Sequence, residues 1–418
     1  MKDIPLITPA LTGETPFARN YAREVLEIAS GRGCRVKDTR GNSYLDFGSG
    51  IAVNALGYGD RGLARRVARQ MRKLVHVSNL YATPPSLALA EELLQLASPA
   101  GRTPFQAVHF GNSGAEANEA AIKYARLRAH HLKGPGHHNT IVAFEKAFHG
   151  RTLGALSATP NEAYRKKFEP LLPGFTFLPL NDLARLDQAV TEETAAVILE
   201  PLQGEGGLES PSPEMVELLN RISAERGVLV IADEIQTGLG RLGELFGSTL
   251  IGLTPDIITL SKPLAGGLPL SATLIPPAIN ELLQPGDHGT TFGGGPVTTE
   301  AGRYVLERIT APGFMKQVRQ RANQLDQGLE ELRKNHPWIT DLPGRGLLRG
   351  LRIDLGPDQE ELFPAILPAA LERGLLILRS GSNVIRIAPP LIISPRDLQR
   401  GLAILDTVFH TISARRHQ

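Results

Sequence analysis

Between about residues 105 and 275 the chain repeats one arrangement: a short apolar run, a polar or glycine-rich turn, then a stretch with helical spacing of apolar positions. The apolar runs are FQAVHF from Phe105, TIVAF from Thr140, AAVILE from Ala195, VLVIAD from Val228 and DIITLS from Asp256. Continuous rather than alternating apolar runs predict strands buried on both faces, as in a mostly parallel α/β sheet. Four of the five runs end against polar or glycine-rich segments. Ligands of open α/β sheets gather beyond the carboxyl ends of the strands, so chemistry is expected in those segments.

Upstream, GLARRVARQMRKL from Gly62 and SLALAEELLQLA from Ser86 predict helices, the second opened by Thr83-Pro84-Pro85. Downstream, a helix is expected from Pro296, followed by helix, strand LLRGLRID, helix, strands LLIL and NVIRIA, and a closing helix. A chain of 418 residues exceeds the ~250–300 at which a single core stops growing. We therefore expect residues 1–60 to form an arm and part of a small domain, 61–305 a large α/β domain, and 306–418 the rest of an α+β small domain.

Charge narrows the choice of partner. Lys and Arg total 45 against 43 acidic residues, a formal net charge of +2, which gives no general attraction to nucleic acid or to an anionic membrane. An anionic ligand must be held locally. The single cysteine, Cys34, cannot form an intrachain disulfide and suits a reducing compartment, so a cytoplasmic location is expected. The opening MKDIPLITPALTGETP is interrupted by prolines and does not resemble a signal peptide.

Lys262 follows the apolar run 256–261 and precedes Pro263 and the Gly266-Gly267 pair, which places it at a strand end. Desolvation or a nearby cation there would lower its amine pKa enough to make it a nucleophile toward an aldehyde, although a surface lysine after a strand has the same local pattern. Asp233 ends a run apolar enough for burial, where an acid needs a cationic partner such as a protonated pyridine nitrogen; a structural or helix-capping Asp is the alternative. Gly111-Asn112-Ser113-Gly114-Ala115-Glu116 lies between a strand and a long helical run. Helix-start N–H groups and the Ser113 hydroxyl could hold a phosphate there, and Ser113 with Glu116 also reads as a capping box.

Two patterns carry no such expectation. Gly238-Leu239-Gly240-Arg241-Leu242-Gly243 matches G-x-G-x-x-G, but five residues separate it from the strand and no clean helix follows, against a dinucleotide site. His130, His131, His137 and His138 lack metal-site spacing and read as a solvated loop, so no metal is expected.

Taken together, FGSGIAVNALG from Phe47, NSGAEANEAAIKYAR from Asn112, FHGRTLGALSAT from Phe148, EPLQGEGG from Glu200, IADEIQTGLGRLG from Ile231, SKPLAGGLPL from Ser261, HGTTFGGGP from His288 and NVIRIAPPL from Asn383 resemble the class III, fold type I, pyridoxal-phosphate aminotransferases. The resemblance runs over nearly the whole chain. It implies a large domain built on a mostly parallel seven-stranded sheet, a smaller α+β domain, and pyridoxal 5'-phosphate as cofactor. It implies Lys262 as the Schiff-base lysine and acid–base group, Asp233 on the pyridine nitrogen, Gln236 on the phenolic oxygen and Phe148 against the ring. Ser113, Gly114 and Ala115 would hold the phosphate with Thr291 of the neighbouring subunit, which implies a homodimer with shared sites. Arg151, Arg386 and Thr290 would meet substrate, with Glu205 covering Arg386 when no α-carboxylate is present.

The implied reaction moves the terminal amine of N-acetylornithine to 2-oxoglutarate, in arginine biosynthesis. The related donors succinylornithine, ornithine, a carrier-linked lysine precursor and 4-aminobutyrate are alternatives, as is a non-catalytic protein on the same fold. Pro263, Gly295 and Tyr58 depart from the family pattern. Gly50 and Ile51 offer no hydroxyl to a free α-amino group, which favours an N-acylated donor.

Overall fold

The computed structural model describes residues 18, 20, 26–98, 105–134 and 139–416. The amino-terminal segment examined for a signal sequence and the pair His137 and His138 lie outside them. A seven-stranded sheet runs, in spatial order, Ala107–Gly111, Ser271–Ile275, Ile257–Leu260, Leu229–Asp233, Thr194–Leu199, Thr140–Phe144 and Phe175–Leu178. Every pairing is parallel except the two made by Ser271–Ile275.

Side chains alternate between the faces of a strand, and both faces of this sheet are covered. Val142, Phe144, Val197, Leu199, Val230, Ala232, Ile258 and Leu260 pack into one core with the helices Pro84–Ala97, Pro213–Arg226 and Pro296–Ile309. Ile141, Ala143, Ala196, Ile198, Leu229, Ile231 and Ile257 pack on the other side against Ala120, Ala121, Ile122, Tyr124 and Ala125 of the helix Gly114–Lys133. Double-sided burial is why these strands read as unbroken apolar runs.

A second core gathers Leu325, Leu329 and Leu332 of the helix Phe314–Asn335, Leu405, Val408 and Phe409 of the helix Pro395–Arg416, and Leu351, Ile353, Ile385 and Ile387 from strands. Cys34, Leu45 and Phe47 from the amino-terminal side belong to it too. The strand Ser43–Asp46 pairs in parallel with Leu375–Leu376, completing a four-stranded sheet.

Three details differ from the sequence expectation. The strands Phe175–Leu178 and Ser271–Ile275 were not marked by the pattern: the first is a half-exposed edge strand of four residues, and the second is a short antiparallel insertion. The run LLIL is two strands in two sheets, since Leu375–Leu376 pairs with Ser43–Asp46 whereas Leu378–Ser380 pairs with Val384–Ile387.

Candidate active site

Three neighbouring strands of the large sheet end at one place. Thr194–Leu199 delivers Glu200, Leu229–Asp233 delivers Asp233, and Ile257–Leu260 delivers Lys262 two residues beyond its end. Asp233 is 3% exposed. Its Oδ2 lies 2.7 Å from His149 Nδ1 and accepts a hydrogen bond of 2.8 Å from Asn118 Nδ2, while Oδ1 accepts from the Ile235 N–H at 3.1 Å. Asn118 is itself fixed, donating to the His149 carbonyl and accepting from Thr259 Oγ1. The carboxylate is therefore locked in orientation by two side chains from different segments and one backbone N–H.

Lys262 opens a short 3-10 turn, Lys262–Ala265, with φ +23°, a strained conformation for a residue with a side chain. Burial lowers its amine pKa; the Arg386 charge adds to that effect, while Glu205, Asp233 and Glu200 oppose it. Strain and a depressed amine pKa together make Lys262 a candidate functional lysine.

The helix Gly114–Lys133 points its amino terminus at the same region. Ser113 Oγ accepts from the Glu116 N–H at 3.3 Å, and the Glu116 carboxylate accepts from the Asn112 and Ser113 N–H groups at 2.5 and 2.9 Å, closing the capping box. Gly114 and Ala115 occupy the first two helical positions, whose N–H groups have no acceptor within a helix. A side chain at Gly114 would sit 2.8 Å from Ile235 Cδ1, so backbone alone fits there.

Opposite, Arg386 on the strand Val384–Ile387 is 2% exposed. Its Nη1 donates to Glu205 Oε1 at 2.5 Å, to the Gly204 carbonyl at 2.8 Å and to Gln236 Oε1 at 3.3 Å. Gly204 is needed for this approach, because a Cβ there would fall 2.5 Å from Gln236 Cδ. Glu200 Oε1 and Oε2 accept from the Phe148 and Gly204 N–H groups, each at 3.0 Å, tying the Phe148 loop to the loop that carries Glu205. Burial, then the Asp233 charge, push the Glu200 carboxyl up to about 7.

From Phe148 and Glu205 a cleft of about 710 Å³ opens outward between Lys146, Tyr164 and Arg379. Arg151 stands at its edge, exposed, its guanidinium 3.4 Å from the Tyr164 ring centroid and 5.6 Å from that of Phe148. Thr290 and Thr291 lie on a loop that packs against Asn112 and Gly111 at the helix start. Thr290 Oγ1 accepts from Asn112 Nδ2 and the Gly293 N–H, and Thr291 is exposed on the same loop.

Sequence reasoning passed over His149, Asn118, Glu200 and Tyr164. Asn118 was open to detection as a polar residue on the buried face of its helix, and Glu200 as an acid closing an apolar run. It also passed over a backbone feature: Ser49, Gly50, Ile51 and Ala52 all have positive φ, between 43° and 65°. Left-handed backbone costs an ordinary residue about 1–2 kcal/mol. Ser49 Oγ, donating to the Ala388 carbonyl at 2.6 Å, anchors this turn to the end of the Arg386 strand, and Asn54 beyond it borders Gly267 of the Lys262 loop.

The Aminotransferase class-III family matches residues 17–409. The chain belongs to the class-III aminotransferases. An acetylornithine aminotransferase of Caldanaerobacter subterraneus subsp. tengcongensis is 43% identical over 94% of this chain and 96% of its own, and one of Thermosynechococcus vestitus is 42% identical over 94% and 95%. Among solved structures, the ornithine aminotransferase from Toxoplasma gondii superposes with a TM-score of 0.89 at 28% identity, covering 96% of this chain and 93% of its own. The N-acetylornithine aminotransferase from Stenotrophomonas maltophilia gives 0.81 at 31% identity, covering 94% and 98%.

Enzymes of this class use pyridoxal 5'-phosphate, and the residues here fit that group. His149 Nε2 and Arg386 Nε are buried and have no hydrogen-bond partner among the described residues. An oriented buried carboxylate, a lysine with lowered pKa and a helix start lined by Gly114 meet the needs of a pyridinium, an aldehyde and a phosphate respectively.

Proposed function

We propose that this aminotransferase moves the terminal amino group of N2-acetyl-L-ornithine to 2-oxoglutarate, giving N-acetyl-L-glutamate 5-semialdehyde and L-glutamate, a step of arginine biosynthesis. The observation that carries this reading is the bond between Glu205 and Arg386 beside Lys262. A pocket that must take glutamate by its α-carboxylate and then an ω-amine needs a cation it can cover and uncover.

Pyridoxal phosphate, when bound, supplies the aldehyde that carries the amino group and a ring that draws off electron density. Lys262 would be its covalent anchor in this reading, and the Lys262 amine would serve as the acid and base of the transfer. Asp233 would keep the pyridine nitrogen protonated, Gln236 would meet the phenolic oxygen, Phe148 would lie against the ring, and Ser113, Gly114 and Ala115 would hold the phosphate. Glutamate displaces Glu205 and pairs with Arg386 while Arg151 takes its other carboxylate. N-acetylornithine needs only Arg151, which is consistent with the exposed position of that guanidinium at the cleft edge. Thr290 is assigned to the substrate side. The turn at Gly50 and Ile51 offers no hydroxyl to a free α-amine, which supports an N-acylated donor over ornithine.

We also propose a homodimer in the cytoplasm, Thr291 of each subunit reaching the phosphate of the other. Val75, Leu80, Tyr81 and Phe292 support it, being 56%, 89%, 67% and 66% exposed around the loop that carries Thr291; large apolar groups of that exposure mark an interface. No helix among the described residues is long and apolar enough to cross a membrane. The test of the reaction is kcat/KM for a panel of donors with 2-oxoglutarate. N-acetylornithine should lead; preference for ornithine or 4-aminobutyrate would overturn the assignment.

A further inference from the structure

The helix Phe314–Asn335 is capped by His336, and the helix Pro395–Arg416 carries Asp406 and His410 one turn apart. His336 Nε2 lies 2.9 Å from Asp406 Oδ1, and His410 Nε2 lies 3.7 Å from Asp406 Oδ2. Among the described residues this is the one group of three whose potential metal-ligand atoms all fall within 4.8 Å of one another. The His336 ring is fully buried, wedged against Trp338 and Phe409 with centroids 5.5 Å away and against His410 at 4.7 Å. Asp406 and His410 face solvent, with side chains 35% and 66% exposed, so an ion can reach the group from outside.

A tetrahedral zinc ion with bonds of about 2.0–2.1 Å holds its ligand atoms about 3.4 Å apart. The two carboxylate–imidazole separations bracket that spacing. The buried imidazole is already oriented, and the exposed His410 has the rotamer freedom to close the remaining gap. A hydrogen-bonded lock between the two helices needs only His336 and Asp406. His410 adds nothing to it, since its nitrogen is beyond hydrogen-bond reach of the carboxylate, yet it sits where a third ligand would.

We infer that His336, Asp406 and His410 bind a divalent transition-metal ion of the zinc class, at a site separate from the aminotransferase centre. Two imidazoles and one carboxylate suit zinc, cobalt and nickel, whereas magnesium and calcium require more oxygen ligands. On binding, the metal takes the place of the hydrogen between His336 Nε2 and Asp406, and the neutral imidazole keeps its one proton on Nδ1. The ion would pin the carboxyl end of one helix to the middle of another that lines the small core, stabilising that half of the molecule.

The test uses the full-length, cofactor-loaded protein after treatment with a chelator. Titration with CoCl2, followed by the visible absorption of coordinated cobalt, and calorimetric titration with ZnCl2 are compared for the wild type and His410→Ala. That substitution removes an exposed side chain and leaves the His336–Asp406 bond intact. The expected result is one ion per chain in the wild type, binding weakened at least about tenfold in the variant, and a zinc-dependent rise in Tm in the wild type alone. Metal bound elsewhere, including at the cofactor, is common to both proteins and cancels. Equal binding by the two proteins, or no saturable binding by either, overturns the inference.

Discussion

Removing the Glu205 side chain should redistribute activity between the two half-reactions rather than abolish it. Arg386 is buried and its Nη1 has three acceptors, so Glu205→Ala leaves the guanidinium held by Gly204 and Gln236. The pocket should therefore keep its shape. What is lost is one charge-assisted hydrogen bond, about 1.5–3 kcal/mol between well-buried partners. Glu205 is 35% exposed at the side chain, and solvent screening pulls the figure toward the lower end of that range. At 1.4 kcal/mol for each factor of ten, the expected shift is roughly ten- to thirtyfold. Its direction follows from the charges. Glutamate no longer has to displace a carboxylate, while N-acetylornithine must lay an uncharged chain beside an uncovered cation. Single-turnover rates measured separately with each donor resolve the two effects, which steady-state kcat would mix. The ratio of the glutamate rate to the N-acetylornithine rate should rise. An equal fall in both rates would refute the gate and make Glu205 only a structural partner of Arg386.

Lys262→Ala should keep the wild-type fold by circular dichroism but lose visible absorption and at least about 10³-fold in turnover; a coloured, active variant would move the anchor to another lysine. Mixing Lys262→Ala with Thr291→Ala chains should create heterodimers with one intact site, so activity that appears only on mixing supports shared sites, and an active monomer in sedimentation excludes them. Glu200→Gln should change how stability depends on pH. The native carboxyl titrates near 7 against an ordinary 4.5, so the folded state binds more protons across that window and wild-type stability falls as pH rises through it, by roughly 3 kcal/mol. Urea unfolding of the Gln variant should lack this fall between pH 4.5 and 7, and parallel profiles for the two proteins would show that Glu200 is already ionised.

The sheet was legible because double-sided burial imposes continuous apolar runs, and the runs end where the chain must become polar. The strand-end positions of Lys262 and Asp233 were legible for the same reason, and their proposed roles only through the family resemblance. The partners that give them chemistry were not. His149 and Asn118 stand 84 and 115 positions from Asp233, and Arg386 stands 181 from Glu205; no local periodicity records such a pairing, so only the family resemblance pointed to Arg386. The four left-handed residues at 49–52 are equally silent, because Ile51 and Ala52 are residues that ordinarily avoid that conformation.

Glu200 and Asp233 show most clearly where sequence stops. Both are acids closing an apolar run, and by local pattern they are interchangeable. Register makes them different: Leu199 pairs with Ala232, so the two acids lie side by side at one sheet end, where two adjacent buried charges would repel. The surroundings separate them. Asp233 is met by an imidazole and a side-chain amide, whereas burial and the Asp233 charge beside it push the Glu200 carboxyl up to about 7 against the pull of its two backbone N–H donors. One of the pair is therefore suited to face a cationic ring and the other to hold two loops in place, a division set by neighbours that come from elsewhere in the chain.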